Sequence, residues 1–528
     1  MPPSATLISL LAGVSIAYLI YRQFRLRRRG ALPPGPQGYP IIGNFWDIAK
    51  DRDLSWVRYW KWSQIYGDII HHEVLGQHTI VLNSQKVLVD LLDNRSNNYS
   101  DRPDMPMVMG LMRTDCLFGF FRYSDWWRAH RKTFYQGFQP RVLPEYYDIQ
   151  RTAAALLMDK LTTTPENFVD HIQYYSGSVI LKIVYGYSMQ ETVNDPYLRL
   201  VLNAGEGVIA AANHGSFWVD YFPFLKYIPS WVPGAGFKAK AKTWKQYNKD
   251  LRDEPYSWVK RALEDGTAIP SFCTKSVETL SVTPGDGSRN ESMIKNCAAN
   301  AYVGGADTIF SSVATFILAM SLYPEFQVLA QKEIDSVVGN ERAPDFNDRD
   351  RLPFVAAVLK ETARWNPVVP STPHRATNDD VYEGYYIPAG KPSYRAKMSL
   401  VAHKFVLSSG ATVVANSWSV LHDENLYGPN PMEFNPMRFV KPGENGTFPP
   451  DPACFAFGYG RRICPGKDFG QNATYLAVTS LLSRFTIAKA LDKDGNEIVP
   501  KVEYNDGLIS YPKPFQCRFI PRNTAVQH

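Results

Sequence analysis

The chain has 528 residues, 45% of them hydrophobic and 13% aromatic, enough to bury one or two large cores, which excludes a disordered chain, a collagen and a small disulfide scaffold. The formal charge of +6 sits largely in Arg22, Arg25, Arg27, Arg28 and Arg29; the body is near neutral, so no nucleic-acid partner is expected. Six cysteines (Cys116, Cys273, Cys297, Cys454, Cys464, Cys517) form no Cys-x-x-Cys pair, which argues against zinc ribbons and disulfide frameworks and for a reducing compartment.

Ser4 to Tyr21 is an uncharged apolar stretch that would span about 27 Å as a helix, close to the thickness of a thin bilayer. The arginines follow it, the reverse of a cleaved signal peptide. Residues 1–30 are therefore expected to be a single membrane anchor with its basic stretch held on the cytosolic side, leaving 31–528 as a cytosolic catalytic domain. Pro33-Pro34-Gly35-Pro36 reads as a semi-rigid spacer after the anchor.

Beyond it there is no internal repeat and no glycine-rich phosphate loop. Strand-like runs are few, at Thr79 to Leu82 and Ala411 to Asn416. Apolar periodicity predicts helices over Asp125 to Phe138, Arg151 to Leu161, Met293 to Tyr323, Glu325 to Val338 and Pro353 to Trp365. The expected fold class is mainly α with small β-sheets. Phe217 to Pro233 alternates aromatic residues with prolines and reads either as core or as a surface segment that dips into a bilayer.

Within the longest helix, Gly304 and Gly305 precede Ala306-Asp307-Thr308; two mid-helix glycines cost about 1 kcal/mol each against alanine, so they mark a kink or a functional opening. Glu361 and Arg364 lie three apart on one helical face. Tyr385 to Gly390 and Ala411 to Trp418 read as two halves of one hairpin, separated by residues 391–410. That 20-residue segment carries four Lys or Arg and no Asp or Glu. Gly390-Lys391 can be encoded with an intron donor and Ser409-Gly410 with an acceptor, so the segment is expected to be a retained intron, with a surface loop as the alternative.

Phe455 to Gly470 reads FAFGYGRRICPGKDFG, with Cys464 after a glycine-containing loop and before an apolar helical run from Gln471 to Leu482. Glycines let backbone approach a metal closely, and backbone N–H groups at a helix start favour a thiolate. Taken singly, a cysteine is more often a small buried hydrophobe. Phe457, Gly460, Arg462, Cys464 and Gly466, however, together make the Phe-x-x-Gly-x-Arg-x-Cys-x-Gly pattern, and on it the chain resembles the cytochrome P-450 haem-thiolate monooxygenases, in particular fungal microsomal members.

The resemblance implies a cytochrome P-450 fold around one buried haem b, with Cys464 as axial thiolate ligand to the haem iron and Phe457, Gly460 and Gly466 shaping its loop. It implies propionate contacts from Arg462, Trp127, Arg131, His374 and Arg375, and catalytic roles for Thr308, hydrogen-bonding the oxygen species on the iron, and Asp307, relaying protons to it. Glu361, Arg364 and Arg438 would form a structural ion network. Lys132, Arg128, Arg461 and Lys467 would face an NADPH-dependent cytochrome P-450 reductase, with cytochrome b5 as a further donor.

The implied reaction is hydroxylation of a lipophilic compound, a terpenoid, steroid or polycyclic aromatic, with O2 and electrons from NADPH, in secondary metabolism or xenobiotic oxidation at the endoplasmic reticulum membrane. Met105 to Met112, the segment near Phe217, Tyr302, Val368, Val369 and Leu508 to Tyr511 would surround the substrate. The rivals are a haem-thiolate isomerase or lyase acting on a peroxide without reductase, and an inactive haem-binding product.

Overall fold

The computed structural model describes residues 30–190, 195–212, 215–281, 287–339, 341–389, 411–443 and 446–522. The expected anchor and the segment 391–410 lie outside them. The organising element is the helix Gly287–Leu322, 36 residues and so about 54 Å long. Its middle is apolar on every side, with Cys297, Val313, Phe316, Ile317 and Leu318 fully buried, because it runs through the core rather than along a surface. It is the one helix among the described residues long and apolar enough to cross a membrane, and 67% of its most apolar window is buried inside the protein. It packs on Phe168–Tyr185, Asp125–Phe138 and Lys467–Arg484.

The helices expected at Asp125–Phe138 and Pro353–Trp365 form with those bounds. The runs expected from Arg151 and from Gln471 sit inside Tyr147–Thr163 and Lys467–Arg484, and those expected from Met293 and Glu325 fall in Gly287–Leu322 and Pro324–Val337 but overrun each C-terminus by one residue. Periodicity overlooks Phe168–Tyr185, which is buried on most of its circumference and so carries no polar stripe. It also overlooks Gly236–Glu264, which carries Pro255 in its interior.

A four-stranded sheet of β1 (Ile69–Val74), β2 (Gln77–Leu82), β3 (Ser371–Arg375) and β6 (Thr412–Asn416) has the order β1-β2-β6-β3. Its two pairings with β6 put Ile80 and His374 opposite Val413. The single hairpin expected from Tyr385–Gly390 and Ala411–Trp418 does not form. β5 (Tyr385–Ile387) pairs instead with β4 (Asp380–Tyr382), while β6 is claimed by β2 and β3. Among the described residues, the backbone hydrogen bond that joins the two segments is the one from the Ala411 N–H to the Pro388 carbonyl at 3.1 Å.

The aromatic segment divides. Val219 and Asp220 are buried, whereas Trp218, Tyr227 and Trp231 are 56%, 71% and 81% exposed. A pure core reading of it is therefore wrong. Phe45 stacks on Trp218 at 5.6 Å, joining the exposed Tyr39, Ile41 and Trp46 to the same apolar side of the molecule.

Candidate active site

The loop before Lys467–Arg484 is folded by its own backbone: the Cys464 N–H donates to the Phe457 carbonyl at 2.7 Å. Gly458 and Gly460 both have positive φ, 80° and 51°, a region that L side chains avoid. At Gly460 the space is closed as well, since a Cβ would stand 2.3 Å from the Leu92 carbonyl oxygen. Gly460 also donates its N–H to Asp93 at 2.6 Å. Phe457, Gly458, Arg462 and Cys464 then line one cavity of about 450 Å³ together with Gly304 and Thr308 of the central helix. Gly466 is the cap of the following helix and lies just outside.

Cys464 is exposed and lines this cavity. Burial pushes its thiol up; the Gly466 N–H and then Arg131 pull it down without prevailing. A bare thiol at this position keeps its proton at neutral pH, and it is metal binding that would release it.

Arg462 donates Nε to the Ser100 carbonyl and Nη2 to the Phe121 carbonyl, both at 2.7 Å, and lies 4.3 Å over the Trp127 ring. Its Nη1 is buried with no hydrogen-bond partner. Burial brings its pKa down to about 9, helped by Arg102. A buried guanidinium with an unfilled donor at a cavity wall is a place for an anion. Trp127 lines no part of the cavity and acts as the platform for that guanidinium, while Arg131 is half-buried beside Cys464, which counters the desolvation of its guanidinium.

Two expected propionate contacts are placed differently. Arg375 is not among the residues lining the cavity and donates to Asp104 at 3.2 Å. His374 is buried and donates Nδ1–H to the Tyr99 carbonyl at 2.9 Å; burial and the neighbouring Arg102 hold its pKa well below the ordinary value. Its Nε2 is thus an acceptor, able to donate to a carboxylate only after protonation. Sequence reasoning missed Arg102, which lines the cavity, is fixed by the Gly119 and Pro373 carbonyls at 3.1 and 2.6 Å, and has its pKa lowered to about 10 by burial. No motif marks this loop arginine; only the fold brings it to Arg462.

On the central helix the two glycines have separate reasons. Gly305 packs under Ile180, where a Cβ would come within 2.9 Å of it, and Gly304 has nothing within 4 Å because it faces the cavity. Thr308 lines the cavity and donates its hydroxyl to the Gly304 carbonyl at 2.6 Å. Asp307 does not line it. Its carboxylate points at Gly205, where a Cβ would lie 2.6 Å from it. Its Oδ2 is buried without a partner, and burial raises its pKa to about 7.

Val368, Val369, Leu508 and Ile509 line the cavity as expected. Of Met105 to Met112 only Met105 does; Tyr302 is fully buried and donates its hydroxyl to the Tyr197 carbonyl at 2.7 Å, and the Phe217 segment stays outside. Leu117, Phe120, Val208 and Ala212 complete the apolar wall.

Beneath the site, Arg364 donates Nε and Nη2 to both oxygens of Glu361 at 2.7 and 2.8 Å, with neither side chain exposed. Arg438 Nε approaches Glu361 at 3.6 Å, so the three expected partners do converge. Arg128 pairs with Asp125 and Arg461 donates to Tyr123 at 2.6 Å, so part of the expected basic face is engaged within the chain.

The residues present fit a planar, dianionic macrocycle: one thiol aimed into a cavity otherwise mostly apolar, with an unfilled guanidinium donor and a second arginine at its edge. Comparison with known proteins agrees. The cytochrome P450 family model matches residues 33–392 and 395–519. The chain is 39% identical to the cytochrome P450 monooxygenase ARMGADRAFT_974139 of Armillaria gallica, over 99% of this chain and 98% of the relative. It is 37% identical to the cytochrome P450 monooxygenase COX2 of Coprinopsis cinerea over 98% and 94%. It is 38% identical to tryptamine 4-monooxygenase of Psilocybe cyanescens over 98% and 99%. With a family model matching nearly the whole chain and relatives of this identity over their full length, the chain belongs to the cytochrome P450 family of monooxygenases, whose cofactor is haem with a cysteine thiolate ligand.

Proposed function

We propose that this chain hydroxylates a neutral, bulky lipophilic compound with O2, drawing electrons from NADPH through a flavoprotein reductase. The observation that carries this reading is a single cavity lined at once by Cys464, by Thr308 and by an apolar wall. When bound, haem would supply dioxygen activation and C–H oxidation. Cys464 would ligate its iron after losing its proton; Arg462 through its unfilled Nη1, and Arg102, would hold the propionates. Thr308 can donate to an oxygen in the cavity once its hydroxyl leaves the Gly304 carbonyl. Asp307 would have to swing from Gly205 towards the cavity to deliver a proton, and its pKa of about 7 suits a group that both takes and gives one at neutral pH. The Met105, Leu117, Phe120 and Val303 side chains exclude water and favour an apolar ligand.

The name of one relative refers to tryptamine. A protonated amine is disfavoured in this chain because the acid lining the cavity, Asp451, is already paired with Lys360 at 3.2 Å. Membrane attachment at the endoplasmic reticulum, with the catalytic domain cytosolic, is part of the proposal. It is supported by the apolar stretch Ser4–Tyr21 and by the exposed Trp218, Tyr227 and Trp231.

The test is product formation from a panel of terpenoids, steroids and polycyclic aromatics in membranes containing reductase. One atom of 18O from 18O2 in a product, strictly dependent on NADPH, is the expected result. Turnover of an organic peroxide without NADPH would favour an isomerase or lyase, and no haem uptake would favour an inactive product.

A further inference from the structure

Asp220 is 3% exposed, yet it belongs to the otherwise surface-seeking aromatic segment. Its carboxylate accepts the Met107 N–H at 3.0 Å and the N–H of Phe217, the residue that caps its own short helix Trp218–Tyr221. Its backbone carbonyl accepts Gln77 Nε2 from β2 at 2.9 Å. One residue therefore fastens three pieces of chain: the aromatic segment, the sheet, and the turn Pro106–Leu111 that follows the cavity-lining Met105.

This carboxylate has no counter-charge: among the described residues no basic side chain pairs with it. The turn Pro106–Leu111 contributes no titratable group. On its own helix Tyr221 is adjacent, with Tyr59 and Arg58 beyond it; burial pushes Tyr221 up to about 12, so it stays neutral. In β2, Gln77 is uncharged, and His78 is engaged with His71 at 2.9 Å and Glu73 at 3.5 Å. In the neighbouring turn Lys226 lies over the Tyr227 ring at 4.9 Å. A buried ion held only by amide N–H groups is better hydrated outside than inside.

We propose that Asp220 is a positioning residue that sets how readily the segment Met105–Leu111, whose Met105 lines the substrate cavity, opens: its hydrogen bonds to Met107 and Phe217 define the closed arrangement, and its uncompensated charge keeps that arrangement easy to leave. The proposal rests on the cavity being the substrate site. Lipophilic ligands enter by parting the Met105–Leu111 turn from the aromatic segment, on the side that carries Trp218 and Tyr227.

The sign of the pH dependence follows from the geometry. In the closed arrangement burial raises the Asp220 pKa to about 6 from an ordinary 3.8, whereas in an open, hydrated arrangement the ordinary value returns. Protonation therefore favours closure and ionisation favours opening. Between pH 5 and pH 7.5 the opening equilibrium should rise roughly tenfold.

Amide hydrogen exchange of the haem-loaded full chain in detergent reads this equilibrium without reference to turnover, after correction for intrinsic exchange. Peptides covering 105–111 and 217–222 are expected to open about tenfold more at pH 7.5 than at pH 5, with a midpoint near 6, and Asp220→Asn should flatten that dependence. The entry rate of Nile red, neutral over this range, should follow the same curve. A flat wild-type profile, a profile surviving in Asp220→Asn and so belonging to Asp307 or another group, or a Nile red rate independent of the exchange curve would each overturn the proposal. The wild-type pH series needs no variant to fold. Failure to hydroxylate any lipophile would not alter the exchange profile, so the functional reading and this inference fail separately.

Discussion

Gly460 shows how narrowly single residues determine the thiolate loop. With φ of 51° and the Leu92 carbonyl 2.3 Å from any Cβ, Gly460→Ala must move either the loop or the segment that carries Leu92. A loss of roughly 1–3 kcal/mol in stability is expected, read as a lowered Tm together with reduced haem uptake. Asp307 makes a prediction with a definite sign. Its native pKa of about 7 lies above the ordinary 3.8, so the folded state binds a proton that the unfolded state has lost. Its burial therefore costs stability increasingly as pH rises from about 4 to about 7. Asp307→Asn should accordingly raise Tm at pH 8, by an amount that shrinks towards pH 5; an equal shift at both values would contradict the buried, unpartnered carboxylate. At this scale the sequence pattern pointed to Cys464, Arg462 and Thr308, which line the cavity, but not to Arg102, because a loop arginine 360 positions from Arg462 is brought there only by folding. Arg375, which the same pattern put beside the cofactor, pairs with Asp104 and does not line the cavity.

Among elements, the legible ones are those with a polar and an apolar side. Asp125–Phe138 and Pro353–Trp365 carry that contrast and match their expected bounds. Phe168–Tyr185 does not, because neighbours cover most of it. Neighbouring strands were misjoined for a related reason: β5 and β6 have similar strand character, and which partner each takes is decided by the sheet and not by proximity in the chain. Pro353–Trp365 also carries the buried pair of Glu361 and Arg364, with Arg364 further donating to the Leu421 and Pro431 carbonyls at 2.9 and 2.8 Å. Glu361 in addition accepts the Asn435 N–H at 2.7 Å. Glu361→Gln leaves two buried guanidinium groups without their anion, and a cost of about 3–5 kcal/mol is expected. Urea unfolding of the variant measures it; a change below 1 kcal/mol would mean that the network is not what holds this layer together.

For the molecule as a whole, the central helix and the thiolate loop enclose the cavity from opposite sides, and the sheet and the Arg102 segment close its edge. The residues flanking 391–410 are already in contact, Ala411 N–H to Pro388 carbonyl, so the chain leaves and returns at one place. Removing 391–410 is therefore expected to preserve helical content and haem uptake. Loss of both would make the segment an integral part of the fold, and uniform presence of its coding sequence in mature transcripts would exclude a retained intron.

The most direct test of the central claim, that Cys464 is the thiolate ligand of a haem held in this cavity, is the carbon-monoxide difference spectrum of the reduced protein. A thiolate-type band in the wild-type chain that disappears in Cys464→Ser is the predicted result. A nitrogen-ligated type of spectrum in the wild type, or a thiolate-type band that survives in Cys464→Ser, would contradict the account.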